Sequence, residues 1–76
     1  MKLNELEIKI LEKLEYGFKI NYNNFGVERN EFYIATKHLY DNNLIFARKC
    51  EHKLFKDEID PTGITEIGRK LLNQSR

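Results

Sequence analysis

Residues 28–45 read ERNEFYIATKHLYDNNLI, and this stretch decides the fold. Its periodicity predicts one long helix, Glu28 to Asn43, that runs into a strand. On a helical wheel Phe32, Ala35 and Leu39 share a face, with Glu28, Thr36 and Asn43 at its margins. The opposite face carries Asn30, Ile34, Lys37 and Asp41, flanked by Tyr33 and Tyr40. The first face is ordinary packing. The second mixes an amide, a cation, aromatic rings and an aliphatic, as a surface that touches a partner does. Asn42-Asn43 then stops the helix, and Leu44-Ile45-Phe46 has the bulky, β-branched character of a strand start.

Working outward to the N-terminus, Leu3, Leu6, Ile10 and Leu14 recur at helical spacing and predict a helix over Leu3–Tyr16. Asn4 and Glu7 form an N-x-x-E capping box, with Leu3 and Ile8 placed as a hydrophobic staple. Glu5 and Lys9 make a favourable i, i+4 pair, and Gly17 supplies a left-handed stop. Phe18, Ile20 and Tyr22 alternate, which predicts a very short strand at 18–20, followed by a stubby helix over 21–25. Phe25 and Val27 are expected to join the core. Glu28 is a poor N-cap beside Ser, Thr or Asp.

Toward the C-terminus, Leu44 to Ile59 reads as two strands around a polar tip at Glu51-His52-Lys53. The alternation groups Leu44, Phe46, Arg48 and Cys50 on one side, and Ile45, Ala47 and Lys49 on the other. The returning strand is expected over Leu54–Ile59, and Asp60-Pro61-Thr62-Gly63 reads as a turn. Thr65 then caps a last helix, Glu66 to about Asn73, expected to bury Ile67, Leu71 and Leu72. Gly68 inside that helix costs about 1 kcal/mol against Ala, so it predicts a packing reason such as close approach to another backbone. The last residues, 73–76, are expected to fray.

The chain of 76 residues reads as one α+β domain. At this size roughly 60% of the unfolded surface is buried, so the core is modest. A hydrophobic share of 41% and a charged share of 33% suit a folded globular domain. No apolar run nears the roughly 20 residues of a membrane span, and the N-terminus is too acidic for a signal peptide. A cytoplasmic location is the expectation, and the single cysteine agrees with it. Net charge is only +1, but it is unevenly spread. Residues 32–56 hold five basic groups against two acidic, a surplus of +3, while residues 1–16 and 57–76 each stand at −1. A small positive region suits weak steering toward phosphate. Solvated lysines on a hairpin explain the charge equally well.

The order is helix, short helix, long helix, hairpin, helix, which is that of a winged helix-turn-helix: a three-helix core, a two-stranded wing and a C-terminal helix. Two phrases carry a resemblance. ITEIGRKLL, residues 64–72, resembles the L-T-x-x-G-x-x-L-L segment that enters the last helix of many bacterial winged-helix proteins. FGVERNEFYIATKHLYDNNLI, residues 25–45, resembles the segment from the second helix through the third and into the wing. Together they are most similar to the small YjcQ-like winged-helix proteins of bacteria and their phages, over roughly residues 5–72. The resemblance implies the fold. It implies no single activity, because winged helices bind DNA, RNA or other proteins.

As a DNA reader, the long helix would turn Asn30, Tyr33, Ile34 and Lys37 to base edges. Arg48, Lys49, Lys53 and Lys56 of the wing would meet phosphates or the minor groove, and Arg29 and Lys19 the backbone beside the helix. Taken singly, Asn30 and Lys37 are ordinary surface residues. Ile34 between Tyr33 and Tyr40 is less ordinary, and fits a protein partner or a second copy of the chain as well as DNA. Cys50, His38 and His52 fall short of a zinc ligand set and lack the orienting group of a Cys–His nucleophile. No Gly-rich phosphate loop is present. The reading is a small DNA-binding transcriptional regulator, with a protein-interaction module using Tyr33, Ile34 and Tyr40 as the alternative. No enzyme activity, cofactor or metal is expected.

Overall fold

A computed structural model of the protein describes residues 2–20, 22–49 and 59–75. The elements run α1 (Glu5–Glu15), a single 3-10 turn (Tyr22–Phe25), α2 (Arg29–Asp41), β1 (Ile45–Lys49), β2 (Ile59–Ile64) and α3 (Glu66–Ser75). The long helix of the opening stretch is therefore α2. The stubby helix before it is a four-residue 3-10 turn.

Helix α1 begins at the capping box. The Asn4 side chain accepts from the Glu7 N–H at 2.8 Å, and the Asn4 N–H donates to Glu7 Oε1 at 2.9 Å. It ends in a six-to-one closure: Phe18 N donates to Lys13 O at 3.2 Å and Gly17 N to Leu14 O at 3.0 Å, with Gly17 at φ +80°. That closure turns Phe18 back over the last helical turn, where Lys13 Nζ stands 5.4 Å from its ring. Residues 18–20 consequently form no strand, contrary to the alternation of Phe18 and Ile20. Ile20 is buried and Phe18 is exposed.

Helix α2 ends the same way, with an asparagine where α1 has glycine. Asn43 adopts φ +60°, Leu44 N donates to Leu39 O at 3.0 Å, and Asn43 N to Tyr40 O at 3.0 Å. Leu39 and Leu44, the apolar pair this motif brings together, are both buried. At the other end Glu28 caps α2 without a side-chain hydrogen bond.

Strands β1 and β2 pair antiparallel, with Ile45 opposite Ile64 and Lys49 opposite Ile59. Phe46 pairs with Gly63 and Ala47 with Pro61, so Thr62 is the extra residue of a bulge. The turn signal Asp60-Pro61-Thr62-Gly63 thus lies inside a strand. A two-stranded sheet tolerates it because a bulge or open edge leaves proline's missing N–H unneeded. Among the described residues the return strand covers Ile59–Ile64 and so continues past its expected end at Ile59, while residues 54–58 and the tip lie outside the described residues. Ile45 is buried and Ala47 half-buried, while Phe46 and Arg48 face out. Leu44 is buried too, because it belongs to the closure of α2 and not to the strand alternation.

Helix α3 is capped by Thr65, whose Oγ1 accepts from Gly68 N at 3.0 Å. It runs to Ser75, two residues past the expected end. Gly68 and Leu72 form its buried side, which leaves Ile67 58% exposed where burial was expected. Gly68 sets that phase. A backbone packed against it rotates Ile67 outward by one residue's turn of the helix.

The core unites Leu3, just before α1, and Ile10, Leu11 and Leu14 of α1 with Ile20, Phe32, Ala35, Leu39, Leu44, Ile45 and Leu72. Phe25 and Val27 pack against it, and the Phe25 ring stacks on Phe32 at 5.7 Å between centroids. Among the described residues no helix is long and apolar enough to cross a membrane.

Candidate nucleic-acid interface on the second helix

Burial of Phe32, Ala35, Thr36 and Leu39 fixes the rotation of α2 and therefore what it presents. Thr36 can be buried because its Oγ1 donates to Tyr33 O at 3.0 Å. Outward stand Asn30, Ile34, Lys37 and Asp41, all exposed, with Ile34 at 59%. Tyr33 and Tyr40 flank them half-buried. The two flanks of this crest differ. Glu31 and His38 border α1 on one side, and Arg29, Tyr33 and Tyr40 lie on the other.

The charges on the crest are partly spoken for. Lys37 Nζ meets both carboxylate oxygens of Asp41, at 3.2 and 3.3 Å. Both side chains are about half exposed, and the order is the weaker one for an i, i+4 pair on a helix. The guanidinium of Arg29 stands 5.8 Å from the Tyr22 ring, which ties the start of α2 to the 3-10 turn.

Five of the nine predicted contact residues, Arg29, Asn30, Tyr33, Ile34 and Lys37, share α2. Arg48 is exposed on β1 opposite Asp60, and Lys49 is the last described residue of that strand. Lys53 and Lys56, with Cys50 and His52, lie outside the described residues. Lys19 is exposed between α1 and the 3-10 turn.

One pairing went unread in the sequence. Glu7 is 1% exposed, and its Oε2 contacts Nδ1 of His38 on α2 while its Oε1 holds the capping box. One carboxylate thereby joins the start of α1 to the last turns of α2, with His38 half exposed at the far end. The signal was available. Glu7 falls on the Leu3, Ile10, Leu14 stripe of the α1 wheel, where a buried acid needs a partner.

Comparison with family models, curated proteins and solved structures gave no match. The assignment of a function rests on the molecule's own surface.

Proposed function

We propose that the chain is a small winged-helix regulator of the bacterial or phage type that binds duplex DNA, with α2 lying in the major groove. The observation that carries this reading is the crest of α2. A mid-sized helix packed on one side presents an amide, an aliphatic and an amine in one exposed row, followed in the chain by a two-stranded antiparallel pair. Asn30 suits bidentate pairing with adenine, Lys37 suits guanine O6 and N7, and Ile34 suits a thymine methyl. Arg29 and Arg48 suit phosphate contacts, and as cations Lys49, Lys53 and Lys56 are proposed to add to them.

The Lys37–Asp41 pair opposes this reading, but weakly. An exposed i, i+4 pair is worth about 0.3–0.5 kcal/mol, less than a good base contact at about 1–3 kcal/mol, so DNA can take the amine from Asp41. One domain of this size reads few base pairs, and specific binding calls for two copies on paired half-sites.

The test compares Lys37→Ala with Arg48→Ala on a panel of duplexes by fluorescence anisotropy. A base-reading Lys37 loses affinity unevenly across sequences, whereas a phosphate-binding Arg48 loses it about evenly. Equal, negligible effects of both substitutions reject the arrangement.

A further inference from the structure

Beside the crest, the start of α1 and one side of α2 line an open groove of about 470 Å³. Leu6, Ile34 and Ala35 give its apolar lining, and among the described residues no lysine or arginine lines it. Its polar lining is three glutamates with Asn4 and His38. Glu5 and Glu31 are exposed, Glu7 is buried on His38, and His38 stands half exposed at the edge. Two described lysines of these helices pair along their own helix: Lys9 with Glu5 at 3.8 Å, and Lys37 with Asp41 at 3.2 Å. A phosphate backbone is repelled here. The groove matches the opposite chemistry.

We infer that this groove docks an amphipathic, cationic segment of a partner protein. An aliphatic side chain of that segment would seat against Ile34, Leu6 and Ala35. A lysine or arginine would run its methylenes along Ile34 and set its head on Glu31. Ile34, at 59% exposure, gains most from being covered. Charge complementarity selects this occupant over an acidic or neutral one. The site is separate from the DNA reading, sharing only Ile34 with it, so the two ligands compete.

The probe is a fluorescent helical peptide of leucine and lysine, with a leucine–glutamate peptide as control, titrated into the full chain and followed by anisotropy and amide NMR shifts. The inference expects saturable binding of the leucine–lysine peptide alone. Shifts should centre on Leu6, Glu31, Ile34 and His38, and affinity should fall about tenfold in Glu31→Lys and in Ile34→Ser, a change of about 1.4 kcal/mol. Both residues are exposed, so neither variant threatens the core. No saturable binding, shifts centred elsewhere, affinity indifferent to Glu31→Lys, or self-association that fills the groove with a second copy would each overturn it. Failure here is distinguishable from failure of the DNA reading: Glu31→Lys leaves or strengthens duplex binding, while Lys37→Ala weakens it and spares the peptide.

Discussion

Gly68 of α3 lies so close to the turn after α2 that a Cβ on it would stand 2.1 Å from the carbonyl oxygen of Leu44. The same oxygen accepts from Thr65 N at 3.1 Å, and Thr65 Oγ1 donates to Asn43 O at 2.7 Å. Thr65 therefore caps its own helix and clips it to the end of α2, while Gly68 makes room for the clip. The spacing of Thr65 and Gly68 has a mechanical meaning: the carbonyls leaving α2 are received by the first turn of α3. The helix proposed to read DNA is braced at its C-terminal end by this joint and in its last turns by Glu7 and His38.

Gly68→Ala should destabilise the fold although alanine is the better helix former. The gain in propensity is about 1 kcal/mol, whereas forcing a methyl against backbone costs typically 1–3 kcal/mol or more. Urea unfolding measures the balance. A rise in stability would mean that the approach of Leu44 relaxes freely.

Thr65→Ala removes the cap hydroxyl and the clip to Asn43 together, for an expected loss of about 1–2 kcal/mol. Thr65→Ser keeps the hydroxyl and should lose much less. Equal losses in the two variants, read by thermal unfolding, would show that the methyl matters and the hydrogen bonds do not.

Asn43→Gly should be neutral or mildly stabilising, because the position needs a left-handed backbone. Asn43→Val should cost at least about 1–2 kcal/mol, since a β-branched residue pays the full steric penalty there. Equal midpoints for the two in denaturant titration would contradict the six-to-one closure.

The Glu7–His38 contact predicts coupling. His38→Ala leaves a buried carboxylate short of a partner, and Glu7→Gln weakens both ends of the link. A double-mutant cycle on unfolding free energies should give an interaction of about 1 kcal/mol, and strict additivity would deny it.

These joints show what was legible in the sequence. Phe32, Ala35 and Leu39 at helical spacing fixed which side of α2 is buried, and the crest residues followed from it. Gly68 marks a close backbone approach, the packing reason that a glycine inside a helix implies. Ile67 was misplaced since Leu71 and Leu72 permit two phases of α3, and only the Leu44 carbonyl chooses between them. Residues 60–63 have the composition of a turn, yet the pairing of Phe46 with Gly63 and Ala47 with Pro61 draws them into β2 as a bulge. Local preference yielded there to a partner strand that periodicity does not display. The Glu7–His38 contact spans 31 positions, and no local pattern joins its ends.

The central claim is that the exposed crest of α2 belongs against duplex DNA. Its most direct measurement is the affinity of the full chain for duplex DNA as salt is raised from about 50 to 200 mM. Each phosphate neutralised contributes about −0.9 to the slope of log affinity against log salt, so some three to five contacts give roughly −3 to −4.5. That slope should shrink by about one unit in Arg48→Ala. A flat response, or no binding at the lowest salt, would contradict the account.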